Sequence, residues 1–295
     1  MMKKEESIQK FIQNLDIILP EKEKFLDLSR ITPINPKRSE NFVINFERGM
    51  LLYALIAKIQ PKTVLEIGTA EGYSTLCMAW AMSDYKIKGK IITVDPKSHI
   101  IPTERLIKLN DNDIPKKMNL STKEIWEKFA PQEWIEKIDV ISGYSGEILK
   151  KKLPKIEFCY IDGSHVYEAV KHDFYATLKV VSEKFSILFD DYVPNRNDGV
   201  SKIIDEEVVG IFDTNFIKTN TKEQRKKLKN DGEELIMCFI ESESLKKSIW
   251  ELYEKKQVNK FLEKYQFTEN RIKVRKKIEK KIPFLKNIRF RWWNK

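Results

Sequence analysis

The feature that most constrains the fold is the alternation of short apolar runs with helical patterns between residues 63 and 209. Short runs rich in β-branched and aromatic residues, separated by segments of helical spacing, are typical of a parallel sheet covered by helices on both faces. The predicted strands are Thr63–Gly68, Lys90–Asp95, Ile138–Ser142, Ile156–Asp162 and Ser186–Asp190, followed by Ile211–Lys218 and Glu234–Ile240. The pattern therefore predicts a doubly wound α/β fold with a mostly parallel, seven-stranded sheet.

Helical spacing outside these strands predicts the covering elements and the connections. The predicted helices are 7–19, about 39–59 with Ser39 as N-cap, 73–82, 165–181 and 200–209. The connection from Asp95 to Ile138 is too long for a plain crossover, and we expect it to contain one or two helices, including Thr122–Phe129. Connections of this length are usually lids or binding elements, with surface elaboration as the alternative. Thr221–Gly232 is predicted to be an exposed loop.

Composition excludes several classes of protein. Of the 295 residues, 41% are hydrophobic, which excludes wholesale disorder. The three cysteines lie far apart and form no Cys-x-x-Cys pair, so we expect reduced, buried thiols rather than a disulfide scaffold or a zinc ribbon. The longest apolar stretch, Met50 to Ala57, is too short to span a bilayer, and the N-terminal segment is amphipathic, unlike a secretory signal. A cytoplasmic protein is expected.

The positive charge is concentrated in one segment. The net charge is +10, but residues 243–295 alone hold 13 Lys and 4 Arg against 6 Glu. We therefore predict a helical N-terminal cap (1–60), a central domain (61–242) and a basic helical C-terminal extension (243–295). Lysines and arginines among aromatic residues in 246–295 favour an anionic membrane surface, which would place the protein at the inner face of the membrane. Packing on the domain or a homo-oligomer is the alternative, and nucleic acid is disfavoured because the body is nearly neutral.

Polar residues follow the first two strands of the central domain. The first strand ends near Glu66 and continues into Gly68-Thr-Ala-Glu-Gly72, in which the glycines permit positive φ and close approach of the backbone. This is not the G-x-G-x-x-G pattern that cradles a pyrophosphate. The second strand ends in Asp95, whose carboxylate is suited to accept both hydroxyls of a ribose.

This arrangement resembles the class I S-adenosylmethionine-dependent methyltransferases, which have a Rossmann-like fold. The resemblance implies that the glycine loop lies beside the methionyl part of S-adenosylmethionine, that Asp95 holds the ribose, and that the residues after the third strand seat the adenine. The implied cofactor-binding residues are Glu66, Gly68, Thr69, Gly72, Tyr73, Ser74, Asp95, Gly143, Tyr144, Ser145 and Asp162.

Carboxylates also follow the next two strands. Asp162 ends one, and Asp190 and Asp191 end the other, so they should converge at the ligand-binding edge of a parallel sheet. Three close carboxylates repel each other unless a cation neutralises them, and an oxygen-only set favours Mg²⁺, Mn²⁺ or Ca²⁺ over zinc. Asp162, Asp190 and Asp191 are therefore the predicted metal ligands. Helix capping by Asp162 and Asp190, and solvation of Asp191, are the alternatives.

The motif from Asp162 to Glu168 is similar to metal-dependent O-methyltransferases of the catechol type and of the macrolide-sugar and cephalosporin-biosynthesis type. There the metal chelates the acceptor oxygens, and a base stands three residues beyond the first metal Asp. Here that position is His165, which the resemblance makes the candidate base beside Asp162, unless it only fixes the helix start. His99 and His172 are expected to be structural or exposed, and Asp173 has no predicted ligand role.

The predicted function is therefore O-methylation of a hydroxyl on a small molecule or glycan. The Asn/Asp-Pro-Pro-Tyr type of motif that serves amino-group methylation is replaced by Asp162-Gly-Ser-His165. Two alternatives stay open at this stage. One is an RNA or protein methyltransferase that uses the basic extension, and the other is a non-catalytic scaffold that binds the cofactor.

Overall fold

A computed structural model describes residues 4–32, 45–107, 114–196, 199–219, 236–244 and 247–265. The predicted N-cap Ser39, the predicted loop Thr221–Gly232 and residues 266–295 of the basic extension lie outside these ranges. The strands are β1 Lys4–Ser7, β2 Thr63–Ile67, β3 Lys90–Asp95, β4 Thr103–Ile107, β5 Lys116–Leu120, β6 Ile138–Ser142, β7 Ile156–Ile161, β8 Val181–Tyr192, β9 Thr214–Lys218 and β10 Ile236–Ser242.

Helices fill most of the connections between these strands. They are α1 Ile8–Leu15, α2 Lys22–Ser29, α3 Glu47–Ile59, α4 Tyr73–Asp84, α5 Thr122–Phe129, α6 Gln132–Ile135, α7 Ser145–Ile148, α8 Tyr167–Val180, α9 Gly199–Ile203 and α10 Lys247–Lys255, with a π-helix at Ile204–Val208. The helix predicted from about residue 39 begins at Glu47, after the non-helical Asn45 and Phe46. Among the described residues, no helix is both long and apolar enough to cross a bilayer.

The main sheet has the order β1-β9-β10-β8-β7-β2-β3-β6. Its centre, from β8 to β6, is parallel throughout, and β10 is antiparallel to both β8 and β9. The mostly parallel, Rossmann-like α/β fold is thus confirmed. The carboxyl ends of β3, β2, β7 and β8 form consecutive positions along one edge.

The strand count differs from the prediction, because the main sheet contains eight strands in the described part of the chain rather than seven. The eighth is β1, which pairs in parallel with β9 through Lys4↔Asn215 to Ser7↔Lys218. Its sequence, Lys-Glu-Glu-Ser, shows no apolar alternation, so no pattern could predict it as a strand. Charged residues are what an edge strand tolerates, since they discourage pairing with further chains. Ser7 also caps α1 by accepting a hydrogen bond from the Lys10 N–H.

The period-two pattern of the strands separates the core into two halves. Val64 and Phe158 face the helices α1 to α4, whereas Leu65 and Cys159 face α8 and the C-terminal helices. All three cysteines are free and buried, as predicted. Burial of apolar side chains on both faces supplies the main stabilisation of the sheet.

Two regions extend this core. The long connection contains the predicted α5 and also an antiparallel hairpin, β4–β5, that the sequence did not reveal. In the extension, α10 and the helical residues 258–265 pack on the domain, where Tyr253, Val258 and Leu262 are buried. The division into segments 1–60, 61–242 and 243–295 stays a prediction.

Candidate functional site

The glycine loop is shaped by what lies directly against it. Gly68 has φ +98°, and a Cβ there would lie 2.1 Å from the main-chain oxygen of Asp162. Gly72 has φ +86°, and a Cβ there would lie 2.3 Å from the ring of Trp126. Only glycine fits at either position, so the loop passes close to the end of β7 and under a tryptophan of the long connection.

Asp95 lies beside this loop at the end of β3. Its Oδ2 accepts a hydrogen bond from the Ala70 N–H at 2.9 Å, and its Oδ1 accepts one from the Lys97 N–H at 2.7 Å. The carboxylate is partly exposed, and each oxygen can accept more than one hydrogen bond. Asp95 therefore fixes the loop and keeps the acceptor capacity that ribose hydroxyls require.

Other predicted loop residues point into the protein. The Thr69 hydroxyl is paired with that of Thr93, and the Tyr73 hydroxyl donates to the Phe46 carbonyl at 2.8 Å. Ser74 is buried in the first turn of α4. Their side chains hold the loop and α4 in place, so a cofactor here would meet mainly backbone.

Glu66 is fully buried beneath the loop. Its Oε2 accepts hydrogen bonds from Thr75 and, at 2.6 Å, from Thr93, whereas its Oε1 has no hydrogen-bond partner among the described residues. Burial raises the pKa of Glu66 from 4.5 to about 7, although the two threonine hydroxyls act to lower it. Glu66 thus supports the loop from below and is half protonated near neutral pH.

The residues predicted to seat adenine follow β6, next to β3. The Gly143 N–H donates to the Asp95 carbonyl at 2.8 Å, and the Ser145 hydroxyl donates to Asp173 Oδ1 at 2.5 Å. Tyr144 lies between them and is partly exposed. His172 Nδ1 lies 3.1 Å from the same Asp173 oxygen, which agrees with a structural role for that histidine.

The long connection is tied to the glycine loop by an ion-pair network. Glu71, inside the loop, pairs with Lys97 and with the buried Arg105 of the hairpin. The Trp126 Nε1–H donates to the Glu71 carbonyl at 2.8 Å. Arg105 also donates to the Thr122 hydroxyl at 3.0 Å, which joins the hairpin to the start of α5. The connection therefore covers and orders the loop, as a binding element would.

His99 lies in the same region and is buried, as predicted for a structural residue. Neither of its ring nitrogens has a hydrogen-bond partner among the described residues. Burial lowers the pKa of His99. The imidazole is 6.0 Å from the Trp126 ring, centroid to centroid.

The carboxylates at the ends of β7 and β8 converge on an arginine of α3. Arg48 Nη1 lies 3.0 Å from Asp162 Oδ2, and Arg48 Nη2 lies 2.9 Å from Asp190 Oδ2. The Tyr160 hydroxyl is 2.8 Å from Asp190 Oδ2 and 3.2 Å from Asp162 Oδ2. Asp190 is 2% exposed, and its Oδ1 accepts the Asp191 N–H at 2.9 Å. Both oxygens of Asp190 are therefore occupied within the protein.

The charges in this cluster shift one another. Burial and the neighbouring Asp190 raise the pKa of Asp162, while Arg48 acts in the opposite direction. Burial alone would lower the pKa of Arg48, but Asp190, Tyr160 and Asp162 raise it well above its usual range. Arg48 stays charged, and burial together with the two carboxylates keeps Tyr160 a phenol by raising its pKa.

The third predicted ligand, Asp191, lies beside His165. It has φ +59°, an uncommon conformation for a non-glycine residue, and its Oδ2 lies 3.1 Å from His165 Nε2. The His165 side chain is 62% exposed. One ligand atom each from Asp162, His165 and Asp191 lie within 4.8 Å of one another. An oxygen–nitrogen set of this kind is able to hold a divalent cation, but it is not the predicted set, since it has His165 where Asp190 was expected.

Sequence reasoning missed Arg48, Tyr160, Arg105 and Trp126. Arg48 carried a weak signal, because a Glu–Arg pair opens the longest apolar stretch of the chain and α3 is buried over most of its length. A charge on a buried helix needs a partner. Arg105 and Trp126 lie far from Glu71 in the sequence, and Tyr160 stands inside the apolar run of β7, so none of the three gave a local signal.

Comparison with known proteins decides the family of the central domain. A profile described as a methyltransferase domain matches residues 65–192, the segment that contains the glycine loop, Asp95 and all three clustered carboxylates. Residues 65–192 of the chain form a methyltransferase domain. No curated protein sequence matches the chain.

Solved methyltransferase structures are similar to the chain at low identity. The O-methyltransferase TomG from Streptomyces achromogenes, solved with S-adenosylmethionine, is 15% identical over 79% of this chain and 96% of its own, with a TM-score of 0.51. An O-methyltransferase from Bacillus cereus, solved with S-adenosylhomocysteine, is 16% identical over 80% of this chain and 100% of its own, with a TM-score of 0.49. The TomG likeness establishes the fold.

Proposed function

We propose that the protein transfers the methyl group of S-adenosylmethionine to a hydroxyl of a small molecule or glycan. The observation that carries the proposal is the pairing of the exposed His165 with Asp191 beside Asp162, at the sheet edge where the glycine loop ends. TomG, which shares the fold, is an O-methyltransferase. A hydroxyl must lose its proton as it is methylated, and this cluster provides the group that takes it.

The residues present fit the cofactor. Gly68 and Gly72 leave the loop without side chains, Asp95 offers acceptor oxygens, and Tyr144 is accessible after β6. When bound, S-adenosylmethionine would supply an activated methyl group for in-line attack by a nucleophile, with S-adenosylhomocysteine as the leaving group. The protein has to align that nucleophile and remove its proton, and no covalent enzyme intermediate is needed.

His165 is suited to the removal of the proton. When its Nε2–H donates to Asp191, the neutral ring keeps Nδ1 as an acceptor, and the carboxylate stabilises the imidazolium that forms. A carboxylate that orients a histidine in this way is a recurring device for general base catalysis. Asp162 borders the same space with its carboxylate anchored by Arg48.

The experiment is a methyl-transfer assay with methyl-deuterated S-adenosylmethionine and a panel of catechols, sugar diols and matched amines. We expect labelled methyl groups on oxygen, detected by mass spectrometry, together with release of S-adenosylhomocysteine. Labelling of amines or of RNA, with none on hydroxyls, would contradict the proposal. Titration that shows no affinity for S-adenosylmethionine would favour a scaffold instead.

We also propose that the enzyme acts in the cytoplasm, at the inner face of the membrane. Three free, buried thiols fit a reducing compartment such as the cytoplasm. Residues 246–295 combine basic and aromatic side chains suited to an anionic membrane surface, although 247–265 pack on the domain in part. Flotation with anionic and neutral vesicles, with and without residues 271–295, tests this. Binding that ignores the lipid charge would count against it.

A further inference from the structure

Arg48 stands where the predicted divalent cation was needed to neutralise the carboxylates. Repulsion among Asp162, Asp190 and Asp191 is what predicted a metal at this site. In the structure, the guanidinium bridges the first two, at 3.0 and 2.9 Å, and His165 lies 3.1 Å from the third. Each carboxylate therefore has a nitrogen partner within the protein.

The fold brings Arg48 to this position by close helix packing. Arg48 lies in the first turn of α3, and the next residue, Gly49, faces α4 so closely that a Cβ would lie 2.5 Å from the Tyr73 hydroxyl. The Arg48 side chain is 18% exposed and forms a two-pronged contact, a geometry that lysine cannot reproduce. The arginine is thus a fixed part of the site rather than a surface charge that happens to reach it.

The carboxylate oxygens that already have protein partners limit which ligand atoms are left for a cation. Asp190 is enclosed by Arg48, Tyr160 and the Asp191 N–H, so it does not supply a ligand unless that network breaks. A cation bound to Asp162 would share this carboxylate with the guanidinium and be repelled by its charge. A cation held by Asp162, His165 and Asp191 would also coordinate the imidazole that is suited to accept the proton.

We propose that Arg48 is an internal counter-charge that replaces the divalent cation, so that this protein performs methyl transfer without a bound metal. Arg48 is a positioning residue: it anchors Asp162 and Asp190 and leaves His165 to serve as the base. The part of the proposal that concerns turnover rests on the proposed function. The part that concerns cation binding does not.

The test is a titration of purified full-length protein with Mn²⁺, followed by the electron paramagnetic resonance signal of the free ion. We expect the wild type to bind Mn²⁺ only weakly, in the millimolar range, and Arg48→Met to bind it at least tenfold more tightly at Asp162 and Asp190. Arg105→Met, which removes another buried arginine that pairs with Glu71, is the matched control and should not gain affinity.

Two results would overturn the proposal. One is a wild type that takes up one Mn²⁺ per chain with micromolar affinity. The other is a folded Arg48→Met variant that binds Mn²⁺ no better than the wild type. If Arg48→Met does not fold, the wild-type titration and Arg48→Lys still decide. Because lysine keeps the positive charge, the Mn²⁺ affinity of Arg48→Lys should exceed that of the wild type by less than tenfold. In the methyl-transfer assay, EDTA should leave wild-type turnover unchanged, and loss of turnover in EDTA would also refute the proposal.

Discussion

Replacement of Glu66 by glutamine tests how the glycine loop is supported. Glu66 is 0% exposed, and its pKa is raised from 4.5 to about 7. A carboxyl group whose pKa is higher in the folded state contributes stability that is fully present below pH 4.5 and is lost as the pH rises through 7. Between pH 5 and pH 8, ionisation of Glu66 should therefore lower the free energy of unfolding by about 2 to 3 kcal/mol.

Glutamine cannot ionise, so the free energy of unfolding of Glu66→Gln should not fall in this way. We expect the free energy of unfolding of the wild type, from urea titrations at pH 5 and pH 8, to fall by about 2 to 3 kcal/mol relative to that of the variant. The glutamine amide places an NH₂ group where Oε1 has no hydrogen-bond partner among the described residues, and this adds a constant cost at both pH values. Only the difference between the two pH values is diagnostic.

A second substitution gives the same reasoning an independent check. Thr93 donates to Glu66 Oε2 at 2.6 Å, which favours the charged carboxylate. Thr93→Val removes that donor with little change of shape, so the pKa of Glu66 should rise further and the loss of stability should extend to higher pH. Parallel pH profiles for the wild type and Glu66→Gln would refute the account of a buried, half-protonated Glu66.

Three further predictions concern ligand binding and turnover. Gly68→Ala puts a Cβ 2.1 Å from the Asp162 main-chain oxygen, so calorimetry should show loss of S-adenosylmethionine binding. An unchanged affinity would be evidence against a glycine loop that passes this close to Asp162. Arg105→Met removes one of the two cations that pair with Glu71 among the described residues, so we expect S-adenosylmethionine affinity to fall by about 5- to 100-fold. An unaltered dissociation constant would show that the hairpin does not order the loop. His165→Ala should lower kcat by roughly 10²- to 10⁴-fold with unchanged cofactor affinity, and near-wild-type kcat would exclude His165 as the base.

The parts of the fold that sequence could predict are those with a local signal. The strands β3 and β6 and the helix α5 have the predicted bounds, because apolar alternation, helical spacing and a capping residue all lie within a few residues. The positions of Gly68, Asp95, Asp162 and Asp190 at or near strand ends also followed from the pattern, since parallel strands end at one edge. Strand β1 was not predicted, because an edge strand need not be apolar.

The side-chain partnerships of the site had no such signal. Arg48 lies 114 residues before Asp162, and Arg105 lies 34 residues after Glu71. Repulsion among three carboxylates is apparent from the sequence, but the group that relieves it depends on which helix the fold brings to that edge. Sequence therefore identified the acidic cluster and could not identify its counter-charge.

The most direct test of the central claim is an isothermal titration of the wild-type protein with S-adenosylmethionine, with Asp95→Ala measured in parallel. We expect saturable binding at one site per chain and an affinity that falls at least tenfold in the variant, because Asp95 would hold the ribose and orders Ala70 in the loop. Absence of saturable binding, or equal affinity for both proteins, would contradict it.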